Sequence, residues 1–263
     1  QRAAIAKSGI DPQVAGAILR VAPAPLQGVE ATVKAASGPG KSTAIAGTIL
    51  TFLFILLYGN WVLTGVVEEK TSRVAEVLFA TVSPRRLLAG KIAGIGAVAM
   101  IQAVAVAVAA VVAGQVAGTN LLKGASGGAI ASGLLWFVGG FALYGTIYAA
   151  AGALAGRSED AQSFSFPIQL PLMIGYIFGS GQAARGTDLA FLRFLSLFPL
   201  TAPVTMPVRI GLGVAQWWEV VVSIALLAGS VFAILRVAET VYRRGMLHTG
   251  NKLKLKAVLR AAD

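Results

Sequence analysis

The 263-residue sequence has no cysteine, a single histidine and few acids: 11 Asp and Glu against 22 Lys and Arg. Without cysteine there are no disulfides and no thiolate metal sites. His248 stands alone in a basic tail, so a histidine-based catalytic or metal centre has no second member. Charged residues make up 13% of the chain and hydrophobic ones 56%, with a mean hydropathy of +0.76. That balance excludes an ordinary soluble domain and points to an integral membrane protein. In a soluble chain the formal charge of +11 would suggest nucleic acid. Here it reads first as a topology signal, and no nucleic-acid partner is expected.

Long apolar stretches lie at about 44–67, 92–114, 129–155, 162–184 and 215–238, the first four free of charge and the last with Glu219 and Arg236 near its ends. Each reaches the roughly 20 residues that a helix needs to cross a hydrocarbon core. Barrel strands would be half as long and alternating, so the expected fold is all-α with five transmembrane helices. The segment between the first two stretches carries Lys70, Arg73, Arg85, Arg86 and Lys91, and the tail carries Arg243, Arg244, Lys252, Lys254, Lys256 and Arg260. By the Lys/Arg bias both face the cytoplasm of a cell-membrane protein, which leaves residues 1–40 outside. Those residues, punctuated by Pro and Gly, read as the end of an extracytoplasmic domain. Residues 41–242 read as the transmembrane domain and 243–263 as a basic tail, solvated or lipid-facing. The chain opens on Gln1 with no apolar targeting segment, so upstream sequence is expected.

The stretch KAASGPGKSTAIAG, Lys34 to Gly47, contains a Gly-Lys-Ser-Thr that invites a nucleotide reading. A phosphate-binding loop needs glycine where Ala35 stands, and Pro39 removes one N–H from the arc that would cradle the anion. A membrane span follows, and the loop would face a compartment without ATP. It is read as a turn leading into a helix, so no cofactor is assigned to this chain.

Between Phe191 and Gly213, Pro199, Pro203 and Pro207 recur every four residues in an apolar stretch. Each removes a helical hydrogen bond, so short broken or re-entrant helices are expected there. The densest polar cluster is VVEEKTSRVAEVLFATVSPRRLLAGK, Val66 to Lys91. On a helix, Glu69, Arg73 and Glu76 form one charged stripe and Val74, Val77 and Leu78 an apolar one. This amphipathic segment, 68–86, either lies in the headgroup layer or docks a soluble partner. Glu68, Glu69 and Arg73 also spell the EExxxR of CAAX-type intramembrane proteases, but the histidines that such chemistry needs are missing. Asn60, Gln102 and Gln169 are the main polar groups within the spans. No Asp, Glu or His sits there to load a coupling ion, and Glu219, Arg236 and Glu239 read as boundary charges near the ends of the last span, where Arg236–Glu239 and Glu239–Arg243 can pair. Small-residue pairs at Gly90/Gly94, Gly152/Gly156 and Gly175/Gly179 suit close helix packing or a dimer.

The blocks Gly65 to Gly96, Leu195 to Gly213 (LSLFPLTAPVTMPVRIGLG) and Val241 to Arg260 closely resemble ABC-2 type transporter permeases, in particular the branch containing the sodium-efflux permease subunit. The resemblance implies six spans per subunit, of which this chain holds the second to sixth. It also implies a permease subunit of an ATP-driven exporter, not itself an enzyme, that pairs with a second permease and docks a separate ATP-binding subunit holding ATP and magnesium. The docking candidates are then Glu68, Glu69, Lys70, Arg73 and Glu76, with Arg85 and Arg86 as weaker ones. A non-transporting membrane scaffold or sensor on the same fold is the alternative. The substrate, whether sodium, drug, peptide or lipid, is left open.

Overall fold

The computed structural model describes residues 39–72, 81–118, 127–156, 158–185 and 190–246. All of them belong to the unit Val33–Asp263. The described residues form seven helices and short turns: α1 (Pro39–Thr71), α2 (Pro84–Val116), α3 (Gly127–Leu154), α4 (Ser158–Arg185), α5 (Ala190–Leu197), α6 (Ala202–Gly211) and α7 (Trp217–Met246). Proline starts both α1 and α2, where its missing N–H costs nothing and its fixed φ favours the helix. Ser83 enters α2 in an extended conformation, and the helix stops where Gly118 takes a φ of 69°. Glu159 and Asp160 occupy the first turn of α4, and the Asp160 carboxylate accepts from the Gly156 amide at 3.1 Å.

Four helical segments are long and apolar enough to cross a membrane: Ile45–Thr71, Pro84–Val116, Ile130–Leu154 and Trp217–Gly245. α4 is as long as α3, at 28 residues, but holds Pro167 and Pro171 and several polar side chains, and lies below that apolar threshold. The helices outrun the charge-free stretches of the sequence. α1 continues to Thr71 and so carries Glu68, Glu69 and Lys70 in its last turn, while α2 begins at Pro84 and takes Arg85, Arg86 and Lys91 into one helix. Backbone hydrogen bonds close within the helix whether or not its side chains are charged, so charge marks the membrane boundary and not the helix end. The proline-rich stretch is two short helices, broken at Phe198–Thr201.

The packing places the chain ends of the helices in two sets. The end of α1, the start of α2, the ends of α3 and α7 and the start of α4 meet at one charged end, through Lys70, Lys91, Glu239 and Gly245. The start of α7 meets α5 and α6 at the opposite end. α1 is central and packs on α3, α4 and α6. Its Ile55, Tyr58, Val62 and Val66 are fully buried, with Tyr144 and Tyr148 of α3. Close approach rests on glycine: a Cβ on Gly152 of α3 would sit 2.7 Å from the Leu63 carbonyl of α1. α2 is the most exposed helix, showing Val98, Ile101, Val104 and Val108.

Candidate functional site

The charged end brings together most of the described docking candidates. Glu68 is exposed in the last turn of α1. Glu69 is paired with Lys91 of α2 at 2.7 Å, and Lys91 is itself only 10% exposed. Lys70 turns inward: it is 3% exposed and donates to the Ala153 and Ala155 carbonyls at 2.8 and 2.9 Å, closing the end of α3. Its ammonium is therefore engaged inside the chain. Arg85 lies 4.0 Å from Glu239 of α7, and Arg86 is exposed beside it. Glu239 thus pairs between helices and not along α7, where Arg236 instead sits over the Phe232 ring at 4.6 Å. Arg73 and Glu76 lie outside the described residues, as do His248 and the basic tail beyond residue 246.

Nearer the middle of the bundle, a polar cleft of about 410 Å³ opens between α1 and α4. Asn60, near the midpoint of Ile45–Thr71, anchors it. Its carboxamide donates to Leu56 O at 2.8 Å, and its Oδ1 accepts from Ser165 Oγ at 2.5 Å. Ser165 Oγ accepts in turn from Gln169 Nε2 at 2.7 Å. Thr64, Gln162 and Phe166 complete the walls, and no charged residue lines the cleft. Gln162, Ser165 and Gln169 fall on one face of α4 because they are three and four residues apart. Gln102 is paired elsewhere, accepting from the Tyr58 hydroxyl.

The opposite end holds an ion cluster that the sequence hides. Arg209 and Glu219 are 1% and 0% exposed, so Glu219, although it lies in the first turn of α7, is a buried and not a solvated charge. Arg209 Nη2 donates to Glu219 Oε2 at 2.8 Å and Nη1 to Ser196 Oγ at 2.9 Å. Arg193 Nε binds the other carboxylate oxygen, and its guanidinium lies 5.3 Å from the Trp218 ring. Ser223 Oγ donates to the Ser196 carbonyl at 2.6 Å, tying α7 to α5. The break at Phe198–Thr201 makes the cluster possible, because it lets α6 run back beside α5 and bring Arg209 to Ser196. A desolvated carboxylate is tolerable only with such full pairing.

An apolar helical bundle with one charged end, a neutral polar cleft and a broken helix pair points to a multi-pass membrane domain. Residues 12–238 match the family described as ABC-2 family transporter protein, and the chain belongs to that family. It is similar to the uncharacterized protein YhaP of Bacillus subtilis (strain 168), 24% identical over 234 residues, covering 84% of this chain and 56% of that protein. It is also similar to the uncharacterized protein MJ1024 of Methanocaldococcus jannaschii, 25% identical over 216 residues, covering 82% of this chain and 52% of that protein. The chain spans about half the length of these curated relatives. No solved structure matches it. Among the described residues no group of three or more His, Asp or Glu side chains is placed to hold a metal ion.

Proposed function

We propose that this domain is part of the permease subunit of an ABC exporter, moving substrate along the α1–α4 cleft with energy from ATP hydrolysed by a separate subunit. Family membership supports a transporter domain, and the observation that carries the pathway is the uncharged polar cleft on Asn60, Ser165 and Gln169 between two helices of an apolar bundle. Polar groups at membrane depth are expensive unless they face one another or a path. Its donors and acceptors best fit a neutral or zwitterionic amphiphile. Sodium, the cargo of the branch that the sequence resembles, would have to be held there by carboxamide and hydroxyl oxygens alone.

In this reading α4 is a fifth span, since it leaves the charged end and packs on α6 near the other: Gly175 and Gly179 of α4 lie against Thr201, Thr205 and Val208. At 28 residues it runs about 42 Å, enough to cross. The pair α5–α6 enters the outer half of the membrane and returns. The charged end is cytoplasmic and docks the ATP-binding subunit through Glu68, Glu69, Arg73 and Glu76, and a second permease subunit completes the path. The test is co-expression of the full-length protein with its ATP-binding subunit. Reversing charge at Glu69 and Arg73 is expected to leave membrane insertion intact while separating ATP hydrolysis from transport. Undiminished coupling would remove the docking assignment, and transport by the permease alone would remove the ATP-driven reading.

A further inference from the structure

A second cavity, of about 460 Å³, lies at the charged end, within the range of small-ligand sites. It is a furrow between the last turn of α1 and the first turns of α2. Three charged groups line it. Glu69 and Lys91 neutralise each other at 2.7 Å, while Arg86 makes no ion pair among the described residues, which leaves one positive charge at the mouth. Val82, Leu87 and Ile95 form apolar walls. The floor is Gly90 and Gly94, where an added Cβ would meet nothing within 4 Å. The small pair therefore packs against no other part of the described chain. Beyond Gly94 the furrow leads to the exposed apolar side of α2, at Val98 and Ile101.

We propose that this furrow binds an anionic phospholipid, with its phosphate on Arg86 and an acyl chain along Gly90 and Gly94. A guanidinium offers two parallel donors to a phosphate, and the furrow changes from cationic to apolar along its length as an amphiphile does. Depth decides between a lipid and a segment of a soluble partner. Gly94 is ten residues into α2, about 15 Å along the helix, on a face that continues as exposed valine and isoleucine of a helix apolar enough to cross a membrane. A lipid tail follows that course and a soluble protein does not. The site takes Arg86 out of the docking surface, and it does not depend on which substrate the domain moves.

The test is native mass spectrometry of the full-length protein from nanodiscs of phosphatidylglycerol and phosphatidylcholine, counting bound phosphatidylglycerol after detergent exchange. Arg86→Gln is expected to weaken retention about ten-fold, as loss of one charged hydrogen-bonding partner does. Gly94→Leu fills the furrow where there is open space, so it is expected to displace the lipid without lowering the melting temperature. Glu68→Gln, outside the furrow, is expected to leave retention unchanged. Equal retention by wild type, Arg86→Gln and Gly94→Leu would overturn the site. So would displacement of the lipid by millimolar inorganic phosphate, which would show a simple anion site. Loss of the ATP-binding subunit on Arg86→Gln with lipid retention intact would likewise overturn it, assigning Arg86 to the partner.

Discussion

Glu219 is held by guanidinium groups from two different helices, Arg193 of α5 and Arg209 of α6, and all of its charge is inside the protein. Removing Glu219 leaves the Arg209 guanidinium buried without a carboxylate, and removing Arg209 leaves the buried Glu219 only the half-exposed Arg193. Glu219→Leu is therefore expected to cost about 3–5 kcal/mol, read as a fall in melting temperature in detergent. Arg209→Met should cost a similar amount, and the double variant less than the sum, because it also removes the orphaned charge. Additive losses would show that the two groups do not act as a pair. Neither residue advertises this role in the sequence, where they lie ten apart across Gly211 and Gly213, Arg209 in the proline-rich stretch and Glu219 as a boundary charge of the last span. The pairing exists only once α6 turns back on α5, a tertiary event without a local signature. Lys70 has a similar history. In the sequence it is one more charge in a docking cluster, and in the fold it closes α3 through two carbonyls. Lys70→Met should lower stability by about 1–3 kcal/mol, the cost of buried acceptors left without a donor. An unchanged melting temperature with weaker binding of the ATP-binding subunit would instead return Lys70 to the docking surface.

Three glycine pairs of the same spacing have three different surroundings. Gly152 lies against the α1 backbone, Gly175 and Gly179 lie against α6, and Gly90 and Gly94 face open space. Gly152→Val is expected to destabilise the domain by about 1–3 kcal/mol or more, because its Cβ would be 2.7 Å from a carbonyl that cannot move independently of α1. Gly90→Ala should do the opposite and gain about 0.5–1 kcal/mol, since alanine orders a helix interior at lower entropic cost and nothing obstructs it. A thermal-shift comparison of the two variants checks both signs. Helix existence was legible from long apolar stretches, because burying a backbone in lipid permits little else. Which face of each helix packs was not, since a stripe that faces lipid and one that faces protein are equally apolar. The polar cleft was legible in part: Asn60 and Gln169 stand out as polar residues within spans, but Ser165, which joins them, is an ordinary serine until α1 and α4 are side by side.

At the scale of the whole molecule, the number of crossings turns on α4. The other four long helices alternate cleanly if α4 crosses: α1 and α3 end at the charged end, α2 starts there, and α7 returns to it from the α5–α6 end. If α4 did not cross, the loop at Gly213 would lie on the same side as the charged end. Parity therefore makes a topological question a labelling question, and these 263 residues add no cysteine of their own to the labelling. Single cysteines placed at Thr71, Gly118 and Gly213 of the full-length protein report three points of the path. With five crossings, an impermeant maleimide applied to intact cells should label Gly118→Cys and Gly213→Cys, and Thr71→Cys only after permeabilisation. Labelling of Gly118→Cys but not Gly213→Cys from outside would show that α4 stays within one leaflet. The polar face on Gln162, Ser165 and Gln169 would then be an interfacial surface and not a wall of the path. Labelling of Thr71→Cys alone from outside would invert the domain. The charged end could not then meet an ATP-binding subunit, however well its residues suited one.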